Sequence, residues 1–150
     1  MATISSVLAK KHPLHCILSS SNVLDAAKMM VEHNVGALPV LDGDRLVGVF
    51  SERDLLRRVI SEGHSPQDVK VSDVMTKELV TASITDDDAT CLKKMTESGC
   101  RHLPVVDGDQ LVGFLSARDL MKSQVDGMRI EIQTLTEYIH YVPPGQTPGK

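Results

Sequence analysis

The chain has 150 residues, 41% of them hydrophobic, with a formal net charge of −4 and only four aromatic side chains. This suits one compact unit with a real core and disfavours nucleic acid, which needs a positive field or a set of stacking platforms. No apolar run approaches the ~18–20 residues that span a bilayer, and Lys10 and Lys11 follow Val7-Leu8-Ala9, the reverse of a secretory signal.

In chain order, an extended segment is expected over residues 14–18. A helix follows over 23–33, where Val23, Ala26, Ala27 and Met30 share one face and Ser21 or Asn22 supplies the cap. Two strands, 38–41 and 46–50, flank Asp42-Gly43-Asp44, a hairpin signal. A second helix begins at Ser51, and the polar stretch 62–68 around Pro66 reads as a joint. The order then recurs: an extended segment over 79–82, a helix over 89–98 capped within Thr85-Asp86-Asp87-Asp88, strands 103–106 and 111–115 around Asp107-Gly108-Asp109, and a helix from Ser116. Beyond it, Met128, Ile132, Leu135 and Ile139 fall at steps of 4, 3 and 4, the stripe of a short amphipathic helix that packs on its own module or on a second copy. The Pro- and Gly-rich residues 142–150 are expected to be a disordered tail.

The recurrence is a duplication. Residues 37–55 (ALPVLDGDRLVGVFSERDL) and 102–120 (HLPVVDGDQLVGFLSARDL) agree at 13 of 19 positions with a constant offset of 65. At the same offset Asn34 falls on Gly99, the two residue types that best tolerate a left-handed helix end. A unit of about 60 residues buries too little surface to be robust alone, so the copies should fold against each other. The expected fold class is α+β, two β-α-β-β-α repeats packed as one pseudo-two-fold module with a short C-terminal helix. The expected division is 7–62, a linker at 63–70, 71–125, a helix at 126–141 and the tail.

Both copies carry Gly, two apolar residues, Ser, any residue, Arg and Asp, at Gly48 to Asp54 and Gly113 to Asp119. A strand glycine is explained if a ligand or another backbone comes close. Ser and Asp three apart at a helix start make a capping box, worth ~0.5–2 kcal/mol without any function. They also suit a nucleotide: a helix start attracts phosphate, an arginine adds a forked donor, and a carboxylate accepts ribose hydroxyls. No histidine accompanies the motif, so the nucleophile and base of an enzyme are missing and no catalysis is expected. His12, His15 and Cys16 lack zinc spacing, so no metal site is expected, and three cysteines without a C-x-x-C pair suit a reducing, cytoplasmic compartment.

The doubled element, the helix Asp25-Ala26-Ala27-Lys28-Met29-Met30 and the segment Val71-Ser72-Asp73-Val74-Met75-Thr76 together resemble a tandem cystathionine-β-synthase-type (CBS) domain protein. The likeness covers roughly residues 7–125, and the short last helix resembles that of bacterial stand-alone CBS-pair proteins. It implies a regulatory module with no catalytic cofactor, which binds AMP, ADP, ATP or NAD, or else S-adenosylmethionine, between its repeats. Such a module acts as an energy or redox sensor for an unidentified partner protein and pairs as a homodimer. The same resemblance assigns Asp54 and Asp119 to ribose, Ser51 and Ser116 to ribose or phosphate, and Arg53 and Arg118 to phosphate. It places Arg101, His102 and Pro104 on the phosphate side, and the segments holding Ile17 and Thr81 against adenine, with Lys10 a further phosphate candidate. The alternatives are a structural dimerisation or interaction module without a regulatory ligand and, behind it, an S-adenosylmethionine sensor or enzyme. Gly36-Ala37 stands in the first copy where the second has Arg101-His102, and Lys10-Lys11-His12-Pro13 where it has Met75-Thr76-Lys77-Glu78. The two sites are therefore expected to differ, with phosphate held chiefly by the second repeat.

Overall fold

The structure is a computed structural model that describes residues 2–10 and 13–140; Lys11, His12 and the expected tail lie outside the described residues. Each half builds one three-stranded sheet. Strand β1 (Ile17–Leu18) runs parallel to β2 (Ala37–Asp42), which pairs antiparallel with β3 (Arg45–Ser51). Strands β4 (Ala82–Ser83), β5 (His102–Asp107) and β6 (Gln110–Ser116) repeat the arrangement, and β3 meets β6 between the halves. Left-handed Gly43 and Gly108, at φ 60° and 61°, turn the two hairpins, as the Asp-Gly signals require.

The helices that cover the sheets begin and end for local reasons. Before α2 (Val23–His33) the Asn22 side chain accepts from the Asp25 amide, and before α5 (Asp88–Ser98) Asp87 accepts from the Thr90 amide. Asn34 and Gly99 close these helices in the left-handed region, at φ 52° and 70°. Helix α3 (Glu52–Asp54) runs on into a π-helical turn, Leu55–Ile60, and a 3-10 turn at Pro66–Asp68 leads to the second half.

Two short helices are absent from the sequence reading. Helix α1 (Ile4–Ala9) buries Ile4 and Val7 in the core of the second half, beside Ala82, Cys91, Met95, Leu103, Leu115 and Leu120. Helix α4 (Val71–Val74) buries Val71 and Val74 in the core of the first half, beside Val23, Met30, Leu38 and Phe50. Each core is thus completed by the helix that leads into the other repeat. The hydrogen bonds match pairwise: Val71 N donates to Ser21 O as Ile4 N donates to Asp86 O, and Val23 N to Val69 O as Asp88 N to Ala2 O. These pairs set the leading segments at an offset of 67, whereas the strands keep 65. Met75-Thr76-Lys77 therefore corresponds to Leu8-Ala9-Lys10, and the alignment of Lys10 to Pro13 with Met75 to Glu78 is corrected.

The C-terminal helix is also corrected. The helix after β6 does not end near residue 125; α6 runs unbroken from Ala117 to His140.

Cys91 is fully buried, and burial, aided by the charge of Asp86, pushes its thiol up to about 11. Only the thiolate reacts with disulfide reagents, and at pH 8 it is roughly one part in a thousand of such a group. Thiol titration of the native chain at pH 8 should therefore count at most Cys16 and Cys100, with the third thiol appearing only in denaturant. Three fast thiols would show that the second core is open.

Candidate functional site

The two arms of the repeated motif start α3 and α6. At α3, Ser51 N donates to Asp54 Oδ2 at 3.0 Å and Asp54 N donates to Ser51 Oγ at 3.2 Å, a reciprocal capping box. Ser116 and Asp119 repeat it at 2.8 and 3.1 Å. The capping expectation is met in both copies, and what separates them is the surroundings.

Asp54 is 6% exposed and richly partnered. The Thr76 hydroxyl donates to its Oδ1 at 3.1 Å, and Arg58 Nε stands 3.7 Å from the same oxygen. Arg58 Nη1 donates to the carbonyls of Val74 and Met75, at 3.3 and 3.0 Å, at the end of α4. Arg58 comes from the π-helical turn, a helical irregularity frequent at functional sites; the second copy has Ser123 at this position and a regular α-helix. Thr76 is fixed by two backbone bonds with Val49, at 3.0 and 2.8 Å. The strand glycine now has its reason. A β-carbon on Gly48 would stand 2.5 Å from Met75 Sδ and 2.9 Å from the Thr76 carbonyl, so it is the leading segment that approaches this glycine.

A cleft of about 620 Å³ opens between the halves. The first half contributes Ser51, Arg53 and Asp54; the second contributes Arg101, His102 and Pro104, with Thr76, Leu79 and Val80 also in the wall. His102 stacks on Phe114 with ring centroids 5.4 Å apart, which fixes the plane of the imidazole. Two arginines and three carboxylates, Glu52, Asp54 and Glu78, share the lining.

Six of the twelve expected site residues meet in this cleft. Thr81 stands next to its wall, and its carbonyl accepts from Lys94 Nζ at 3.0 Å. The same ammonium hydrogen-bonds Asp86 at 2.9 Å and holds that carboxyl below the usual range. Ile17 does not face a cleft: it is buried in the first core. Lys10 is the exposed C-cap of α1 and lines neither cleft.

Ser116, Arg118 and Asp119 line neither of the two described clefts. The matching region holds a smaller cavity of about 110 Å³, walled by Leu8, Leu14, His15, Ala37 and Phe114 among others. Two features fill this region. Helix α1 is still helical at Ala9, where Thr76 is extended and paired, and His15 stacks on His33 with centroids 3.5 Å apart. Thr76 and Arg58 are the site residues that sequence reasoning missed. The Val-Met-Thr segment was in view, but the assumed offset of 65 placed Thr76 opposite Lys11 and hid its match to Ala9. Among the described residues, no group of three or more His, Cys, Asp or Glu is placed to hold a metal.

Comparison with known proteins agrees with the fold. The family described as CBS domain matches the chain twice, over residues 4–61 and 71–126. The Arabidopsis thaliana protein named "CBS domain-containing protein CBSX3, mitochondrial" is 36% identical over 148 residues, covering 91% of this chain and 71% of that protein. A solved chain with CBS domains from Burkholderia ambifaria is similar at 34% identity and a TM-score of 0.80, over 83% of this chain and 95% of that one. The solved structure of CBSX2 in complex with AMP is similar at 28% identity and a TM-score of 0.69, over 84% of this chain and 98% of that one.

Proposed function

The chain belongs to the CBS domain family, and from that premise we propose that it is a non-enzymatic regulatory module. It binds an adenine nucleotide in the cleft between its halves and reports energy or redox state to a partner protein. The observation that carries the reading is the convergence of Ser51, Arg53 and Asp54 with Arg101, His102 and Pro104 on one cleft of about 620 Å³, within the ~300–1,000 Å³ usual for small-ligand sites. The AMP in the CBSX2 structure supports the ligand class.

In this reading Asp54 accepts the ribose hydroxyls, one of which takes the place of the Thr76 hydroxyl bond, while Arg53 and Arg101 hold phosphate. Glu52 and Glu78 in the same wall oppose added negative charge. The expected order is therefore AMP ahead of ADP and ATP, with NAD and S-adenosylmethionine as further ligands to compare. Calorimetry with this panel, together with native mass spectrometry, should give one nucleotide per chain with AMP tightest. No binding of any adenosine compound at millimolar concentration would defeat the reading.

The satisfied hydrogen bonds of Asp54 favour a second reading, a structural interaction module that needs no ligand. A nucleotide that binds without altering shape or partner affinity is the outcome that reading expects. The proposed compartment is the cytoplasm, in keeping with three free cysteines; the mitochondrial name of one relative makes that organelle the alternative to test. No helix among the described residues is long and apolar enough to cross a membrane. Pairing with a second copy completes the proposal.

A further inference from the structure

We infer that the exposed length of α6 pairs with α6 of a second copy of this chain as a parallel two-stranded coiled coil. This deepens the pairing proposed above and rests on α6 alone, so its failure and the failure of the nucleotide reading appear in different measurements. Every residue from Met128 to Ile139 is exposed. A helical stretch of that length with nothing against its apolar face is marginal in water.

The stripe is longer than its last four members. Met121, Val125, Met128, Ile132, Leu135 and Ile139 follow steps of 4, 3, 4, 3 and 4, the spacing of a heptad seam. All six are exposed, from 45% at Val125 to 75% at Ile139. With d at Met121, Met128 and Leu135, the a positions are Val125, Ile132 and Ile139. Each a residue is β-branched and each d residue is not, the combination that favours two parallel strands. Ile130 is exposed outside the seam.

The flanking charges select the orientation. An antiparallel pair that seats all six layers sets Met121 against the partner's Ile139 and Met128 against the partner's Ile132. It also brings Arg129 to the partner's Arg129 and Glu131 to the partner's Glu131, and like charges so placed disfavour an arrangement. In the parallel pair Gln124 faces the partner's Arg129 and Glu131 faces the partner's Thr136, with no like charges opposed.

Sedimentation equilibrium of the full chain should give two protomers, and Leu135→Asp should give one. AMP calorimetry of that variant should be unchanged, because Leu135 lies outside both cores and does not line the cleft. In a parallel pair a d position meets itself, so Leu135→Cys should link two chains covalently on oxidation, while the parent chain, with Cys16 and Cys100 half-buried, serves as control. A single protomer or more than two for the parent chain, two for Leu135→Asp, or a Leu135→Cys chain that stays unlinked would each overturn the inference.

Discussion

Arg101→Ala should weaken AMP binding by roughly 10- to 100-fold, the range expected when one charged hydrogen-bonding group is lost. The side chain is exposed on the cleft wall and belongs to neither core, so the melting temperature should stay put. Adenosine, which has no phosphate, should bind both chains alike, and Arg101→Lys should recover only part of the loss, because a point charge replaces a fork. Asp119→Ala is the companion measurement. Its carboxylate lines neither described cleft, so nucleotide affinity should change little while the start of α6 loses its capping bonds. An equal loss for AMP and adenosine in Arg101→Ala would remove the phosphate assignment. An equal loss of AMP binding in Asp119→Ala and Asp54→Ala would remove the asymmetry.

The second large effect is one of stability. Gly48→Ala should destabilise the chain by about 2–3 kcal/mol, as overpacking against an unyielding neighbour does, and lower the melting temperature by roughly 5–10 °C for a chain of this size. The new methyl group meets the Thr76 carbonyl, which is locked to Val49 and cannot turn away. Gly113→Ala is the matched control, because its methyl group meets only the end of the Leu8 side chain, which rotates. Its cost should be about 1 kcal/mol or less. Matching shifts in the two variants would mean that the leading segments are held alike, contrary to the geometry.

Much of the fold was legible because local signals and burial agreed. Helix α2 keeps the bounds that its apolar face and Asn22 cap predict, and the Asp-Gly hairpins need a left-handed glycine wherever the strands pair. What escaped was decided by distant parts of the chain. Helix α1 has six residues, too few for a periodicity to stand out, and Ile4 and Val7 are buried only because the second half supplies a core for them. The continuity of α6 was hidden by Gly127, a residue that disfavours a helix interior. The site was half legible in the same sense. The repeated Ser, Arg and Asp and the Arg101-His102 pair were visible as residues, but only the folded chain shows that the first copy of one motif meets the second copy of the other. The strand glycine admitted either a ligand or a backbone as neighbour, and the neighbour is the leading segment at Met75 and Thr76.

The crossed placement of α1 and α4 has a consequence for the origin of the molecule. A single repeat of this design has no place on its own sheet for its leading helix; that helix finds its groove only on another repeat. Two separate copies would therefore assemble by trading arms, the geometry of a domain-swapped dimer. Joining them in one chain keeps the trade and raises the effective concentration of each arm at its groove. Fusion also lifts the requirement that both copies stay identical, and the pair Arg101-His102 opposite Gly36-Ala37 fits that freedom: one cleft equipped with charge, its twin narrowed to a small cavity beside Leu8 and His15.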